Sequence, residues 1–304
     1  MPDFEEFLGN HPAYNAAFQT IEEQSRVLAL AAAGVYETHG DELGPIADEI
    51  LNYVNSQYSG DYVRHYVARV EQLQELDARF TRNPSAATLG DPALQVDRSV
   101  YDLGLLLSIL FTSHRFEIIQ QLRGFLKSLP APTGRIASIG AGPGYEIKLI
   151  SDALPGWKIE SYDTSQESQR RAAKFLDFFQ VRVPVHFEDL FPLDVPAGNL
   201  RCQYDAIVLC EILEHLTDPE AALRAVRECL REDGRAFITM AINIAQEDHV
   251  FLYPDIPSCR EQIAASGLER VSEWIAPRAV FGAPKDREKG FKKGNYVAVV
   301  KRPT

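Results

Sequence analysis

Cysteine is scarce in this 304-residue sequence: only Cys202, Cys210, Cys229 and Cys259 occur, with no paired metal-ligand spacing. At this chain length disulfides are not needed for stability, and without paired spacing the four thiols are expected to be free, in or near a core. Long apolar runs are missing as well. The stretch Leu103 to Phe111 is too short to cross a bilayer, so no membrane partner is expected. The opening residues Met1-Pro2-Asp3-Phe4-Glu5-Glu6 are acidic and lack the basic and apolar regions of a secretory leader, so the expected location is cytoplasmic. Basic residues fall short of acidic ones, 31 against 43, for a formal charge of −12. The first fifty residues hold ten acidic side chains and one arginine. Such a surface repels phosphate backbones, which disfavours nucleic acid as a partner. One basic segment interrupts the pattern: Arg278, Lys285, Arg287, Lys289, Lys292 and Lys293, with Asp286 and Glu288 interleaved. It reads as a solvated loop or as a seat for an anionic substrate. With 45% hydrophobic and 24% charged residues, and no repeats, the chain has the make-up of a globular protein of one large or two modest domains.

What is present is a strand that breaks into alternating glycines, Ile136-Ala137-Ser138-Ile139-Gly140-Ala141-Gly142-Pro143-Gly144-Tyr145-Glu146. Glycines permit a sharp turn after a strand and leave no Cβ between the main chain and a ligand lying against it. A dinucleotide fingerprint needs glycine at its first, third and sixth positions; here the sixth is Tyr145, and Glu146 would oppose a pyrophosphate. NAD is therefore disfavoured. The Gly-x-Gly-x-Gly pattern with an acidic residue beyond it resembles motif I of class I S-adenosylmethionine-dependent methyltransferases. A tight strand-to-helix turn with no ligand is the other role open to these glycines.

Further matches follow in the order that family requires. Asp163 ends the strand-like run Lys158 to Tyr162, and the resemblance implies that its carboxylate accepts the ribose hydroxyls of the cofactor. In His186-Phe187-Glu188-Asp189-Leu190 the resemblance implies that Asp189 takes the adenine amino group and the Leu190 amide reaches the ring. A helix cap would equally use an aspartate there. Tyr204 to Leu216 resembles the motif IV region, a buried strand running into a short polar helix, with Cys210 at the cofactor edge. Thr217-Asp218-Pro219-Glu220 then predicts a helix capped by Thr217. Leu230 to Met240 reads as a helix stop, a glycine turn at Gly234 and a further strand.

Before the glycines the periodicity is helical. Tyr14, Phe18, Ile21, Ser25, Leu28, Ala32 and Val35 recur at steps of three and four, as do Tyr66, Val70, Leu73, Leu76 and Phe80. A turn-rich segment from Thr81 to Pro92 precedes another helical stretch, Ser99 to Leu126. Residues 1–130 are thus expected to be an all-helical region, a substrate wall or lid, with Tyr62, His65, Tyr66 and His114 open to pocket or core roles. Residues 131–304 are expected to be the S-adenosylmethionine-binding domain. From Arg135 strands and helices alternate, the signature of an α/β fold with a parallel sheet covered on both faces. No helix lies between the last two strands, so the last is expected to run antiparallel. A Rossmann-like, seven-stranded, mostly parallel sheet with one reversed strand is what the resemblance implies.

The cluster Glu211-Ile212-Leu213-Glu214-His215 ends the motif IV strand, and Asp248-His249 follows the next one. On a helix Glu211, Glu214 and His215 share a face. The arrangement resembles ubiquinone-pathway and small-RNA 2′-O-methyltransferases, which implies a divalent ion such as magnesium held by Glu211, Glu214, His215 and His249. The alternative is His249 as general base, oriented by Asp248, with Tyr253 lining the pocket. The reaction expected is methyl transfer to a small-molecule acceptor, oxygen or nitrogen before carbon. A non-catalytic S-adenosylmethionine-binding scaffold and a nucleic-acid methyltransferase are the alternatives; acceptor identity and oligomeric state are not written in the sequence.

Overall fold

Strand and helix alternation after Arg135 builds one seven-stranded sheet, in a computed structural model that describes residues 3–58, 61–82, 101–187, 203–244, 246, 248–278 and 293–303. The strands are β1 (Arg135–Ile139), β2 (Lys158–Asp163), β3 (Val185–Phe187), β4 (Tyr204–Leu209), β5 (Leu230–Ile242), β6 (Glu269–Pro277) and β7 (Gly294–Lys301). Their spatial order is β3-β2-β1-β4-β5-β7-β6. β1 pairs in parallel with β2 and β4, aligning Ile136 with Ile159 and Ala206; β5 and β7 are antiparallel, with Phe237 opposite Val299. The reversed strand is thus the one the sequence predicts. β4 is buried at Ala206, Ile207, Val208 and Leu209, the continuous apolar run of a parallel strand covered on both faces. Chain order reverses direction at β1 and β4, so the crevice at their C-terminal ends is where an open α/β sheet takes a ligand.

Helices α8 (Tyr145–Ala153), α9 (Gln166–Phe178), α10 (Pro219–Cys229) and α11 (Ile256–Ala265) connect the strands. Two local expectations are corrected. The cap of α10 is Asp218, not Thr217: its carboxylate accepts the Ala221 amide at 2.8 Å, which sets Pro219 at the first turn. Asp218→Ala is expected to cost about 1 kcal/mol in urea unfolding, with Thr217→Ala near neutral. Gly234 does not separate a helix from a strand. It lies inside β5, where Leu230 pairs with Tyr204 and Arg235 with Ala206, five steps along β5 against two along β4. The excess residues fold tightly enough that a Cβ on Gly234 would meet the Tyr204 carbonyl at 2.9 Å.

The chain divides into two compact units. One comprises residues up to Glu117 together with a short segment that begins at Ala276; the other starts at Ile118 and carries the sheet. The first contains α1 (Phe4–Asn10), α2 (Pro12–Gln24), α3 (Arg26–His39), α4 (Leu43–Gln57), α5 (Tyr62–Arg82) and α6 (Tyr101–Phe111); α7 (Ser113–Lys127) begins in it and continues into the second. The apolar period from Tyr14 to Val35 is not one helix. Ser25 is extended (φ −144°, ψ 97°), ends α2 and caps α3 by accepting the Leu28 amide at 3.4 Å. Its polarity was the visible mark of that joint. Similarly the stretch to Leu126 splits at Thr112, whose hydroxyl donates to the Ser108 carbonyl at 2.7 Å. Among the described residues no helix is long and apolar enough to cross a membrane.

Candidate active site

The glycine turn follows β1 directly. Gly140, Gly142 and Gly144 all have positive φ, 82°, 47° and 92°, a backbone region that L side chains rarely occupy. Their surroundings differ. A Cβ on Gly140 would strike the Ile212 side chain at 2.1 Å, and one on Gly144 would press on Ala172 of α9 at 3.1 Å. Beside Gly142 nothing lies within 4 Å among the described residues. Gly144 therefore serves helix packing, while Gly142 presents bare main chain to open space. Asp163, at the C-terminal end of β2, ties the turn down: its carboxylate accepts the Ala141 amide at 2.8 Å and the Ser165 amide at 2.7 Å. An ionised carboxylate has about four acceptor positions, so two amides leave room for a ligand hydroxyl. Cys210, half-buried, directly follows β4. Asp189, Leu190 and, in the basic segment, Lys285, Arg287, Lys289 and Lys292 lie outside the described residues.

Beyond Cys210 the expected helical face does not form. Glu211 takes a left-handed conformation (φ 56°), and only Leu213–His215 make a single 3-10 turn. The Glu211 carboxylate accepts the Thr239 hydroxyl and the Asn295 amide, each at 2.7 Å, while its own amide donates to Thr239 at 2.7 Å. Three bonds from β5 and β7 thereby hold a residue whose conformation alone costs about 1–2 kcal/mol. The next residue, Ile212, is the one seated on Gly140. Sequence reading missed Thr239 and Asn295; both are polar residues inside apolar strands and both are fully buried, which is the signal that marks them.

Glu214, His215 and His249 do come together. One ligand atom from each lies within 4.8 Å of the others. Glu214 is fully buried, and its carbonyl accepts the Val250 and Phe251 amides at 2.9 Å each, which pins the following loop beneath the 3-10 turn. The His215 Nδ1 donates to the Asp248 carbonyl at 2.9 Å, and the His249 Nδ1 donates to the Ile244 carbonyl at 2.8 Å. Since a carbonyl only accepts, both rings carry the proton on Nδ1 and keep Nε2 as the free lone pair. The rings meet edge to face, centroids 5.0 Å apart. Burial, then the neighbouring His215, hold the His249 pKa below its usual value, against a weaker upward pull from Asp248. Asp248 contributes its carbonyl to His215, and its carboxylate stands 3.7 Å from the His215 Nδ1. Tyr253 is buried and donates to Gln262 at 2.6 Å. With each Nδ1 committed to a carbonyl, Nε2 is the ring atom left to accept a proton or ligate a cation.

A family model described as a methyltransferase domain matches residues 111–266, 156 of the 304 residues. The ubiquinone biosynthesis O-methyltransferase of Aeromonas salmonicida is 31% identical over 105 residues, 34% of this chain and 42% of that protein. The trans-aconitate 2-methyltransferase of Afipia carboxidovorans is 28% identical over 156 residues, 49% of this chain and 56% of that protein. The chain spans about half the length of the curated relatives it matches. Among solved structures, a chain of the Haloferax volcanii Trm112 methyltransferase activator complex superposes with a TM-score of 0.50 at 15% identity, over 68% of this chain and 94% of that one, a likeness of fold. With the family match covering more than half of a chain whose sheet has the expected parallel order and single reversal, the protein belongs to the methyltransferase domain family, in its class I, S-adenosylmethionine-dependent branch.

Proposed function

We propose that this protein transfers a methyl group from S-adenosylmethionine to an oxygen or nitrogen atom of a small-molecule acceptor. The carrying observation is the bare main chain at Gly142, left-handed and open on its Cβ side, at the end of the strand where a ligand of this fold lies. The residues fit the cofactor: Gly142, within the turn that Gly140 and Gly144 shape, gives a close-approach edge, Asp163 has acceptor capacity left for ribose hydroxyls, Asp189 and Leu190 take the adenine side by resemblance, and Cys210 lines the cofactor edge by the same resemblance. When bound, S-adenosylmethionine supplies a methyl group already activated by its sulfonium. The chain then has to exclude water, orient the acceptor and handle one proton. His249 is suited to the proton, because its Nδ1 is committed to Ile244 and its lowered pKa keeps Nε2 unprotonated near neutral pH. An O-methyltransferase among the relatives supports oxygen as the accepting atom, and the acidic charge balance supports a small molecule over a nucleic acid. Selection of that acceptor by the helical residues 1–130 is part of the same reading.

The Glu214, His215 and His249 cluster supports a second reading, in which these three residues would hold a divalent ion and the chemistry it would supply is a lowered pKa for an acceptor hydroxyl. Two imidazoles and one carboxylate suit a transition ion better than magnesium, since Glu211 is engaged with Thr239 and Asn295.

Calorimetric titration with S-adenosylhomocysteine tests the cofactor assignment. Gly142→Ala is expected to reduce affinity about tenfold while costing about 1–2 kcal/mol of stability, because it puts a methyl group on the open side. Gly144→Ala is expected to be the more destabilising of the two, since its methyl presses on α9 backbone. Wild-type protein that fails to bind S-adenosylhomocysteine sinks the proposal, and binding without transfer to any acceptor reduces it to a cofactor-binding scaffold.

A further inference from the structure

The interior of the helical unit holds polar groups that packing does not explain. Tyr14 of α2 and Tyr66 of α5 both pack against Phe111 of α6, ring centroids 5.3 and 5.9 Å away, and the Tyr66 phenol acts electrostatically on that of Tyr14. Both are buried, at 0% and 3% exposure, and neither hydroxyl has a hydrogen-bond partner among the described residues. The Nδ1 of buried His114, three residues beyond Phe111, also lacks one. Each desolvated polar group of this kind costs about 1–3 kcal/mol, and phenylalanine would fill the tyrosine sites without that penalty. The start of α7 is fixed beside the end of β6 by the Ser113 hydroxyl, which donates to the Pro277 carbonyl at 3.4 Å. That contact brings Arg278 to the same place as His114 and buried Arg115. Both guanidinium groups act electrostatically on Tyr66 and on His114. Burial first, then Arg278 and Arg115, keep His114 neutral far below the usual pH range for imidazole. Burial likewise keeps both phenols protonated, so they are hydrogen-bond donors.

We propose that this unit binds a small organic carboxylate at Tyr14, Tyr66 and His114, under the positive field of Arg115 and Arg278. The inference goes beyond the methyl-transfer reading and does not depend on it. Two phenol donors and guanidinium charge complement a group that only accepts, and a carboxylate is such a group. The rings of Tyr14, Tyr66 and Phe111 favour an organic body over an inorganic anion, which gains nothing from apolar contact. Nothing in this cluster belongs to the glycine turn or to the His215 and His249 pair.

The test uses the full chain, with benzoate, succinate and citrate as probes, benzamide as the uncharged counterpart of benzoate and inorganic phosphate as the non-organic anion. At least one carboxylate is expected to bind by calorimetry and to raise Tm. If the binder is benzoate, benzamide should bind at least about tenfold more weakly, and phosphate should not compete. Tyr14→Phe and Tyr66→Phe are each expected to weaken carboxylate binding about tenfold while the ligand-free Tm stays level or rises. Arg278→Gln, at a half-buried site, is expected to weaken binding in the same way and carries the test if a tyrosine variant does not fold. Absence of binding by all three carboxylates, equal binding of benzamide and benzoate, or unchanged affinity in the folded variants overturns the proposal. So does a lower ligand-free Tm in both tyrosine variants, because the hydroxyls would then serve the fold.

Discussion

Asp163→Ala is expected to weaken S-adenosylhomocysteine binding about a hundredfold and to lower Tm at the same time. Two effects add. The carboxylate holds the Ala141 and Ser165 amides, at 2.8 and 2.7 Å, so its loss frees the glycine turn from the end of β2. It is also the acceptor proposed for the ribose hydroxyls, and hydrogen bonds to a charged group are worth about 1.5–3 kcal/mol each. A ligand cycle separates the two. Adenosine and 2′,3′-dideoxyadenosine differ only in the hydroxyls, so the wild-type preference for adenosine should vanish in Asp163→Ala if the carboxylate receives them. A preference of the same size in both proteins means that Asp163 acts only by holding the turn. Asp163→Asn is the finer probe, because its amide nitrogen cannot accept from whichever backbone amide it faces.

The sheet was legible in the sequence because its signals are local and redundant. Ile136 to Ile139 is apolar but for Ser138, the glycines end it, and the lack of a helical apolar period ahead of Tyr296 in the sequence announces the reversed strand. Joints were less legible. Ser25 and Thr112 interrupt helical periods without breaking them, since both neighbouring helices bury the same kind of face; only the side-chain hydrogen bonds show where the chain bends. Gly234 advertised a turn, yet the turn is absorbed into β5 because the pairing with β4 resumes at Arg235. At the site, residue types read well and their grouping did not. Spacing alone put Glu211 with Glu214 and His215, on the assumption of a helix. The left-handed backbone at Glu211 instead turns its carboxylate towards Thr239 and Asn295, whose approach depends on β5 and β7 pairing from residues more than fifty apart in the chain. No local pattern carries that information.

His249→Ala is expected to reduce turnover by about two to four orders of magnitude with little change in S-adenosylhomocysteine affinity, the span typical of a lost general base. The ring is placed for that work. Its Nδ1 proton is held by Ile244, Nε2 is the basic atom, and burial lowers the pKa, so the ring accepts a proton reluctantly and returns it to solvent readily. The pH profile follows from the sign of that shift. A base must be deprotonated to act, so the acidic limb of the wild-type rate should fall below the usual histidine value of about 6.5 and disappear in His249→Ala. Stability has the same sense: the unfolded chain takes up a proton at His249 before the folded one does, so folding weakens as pH drops through about 6.5 towards the lower folded value. The metal reading predicts otherwise. Chelator would then abolish wild-type turnover, a transition ion would restore it, and His215→Ala would be as damaging as His249→Ala because both imidazoles ligate. Under the base reading chelator has no effect, and His215→Ala is the milder change, since His215 acts on His249 only by lowering its pKa from 5.0 Å away. Full turnover in His249→Ala at saturating acceptor would remove both roles and leave the histidine as the brace that joins Ile244 to the 3-10 turn.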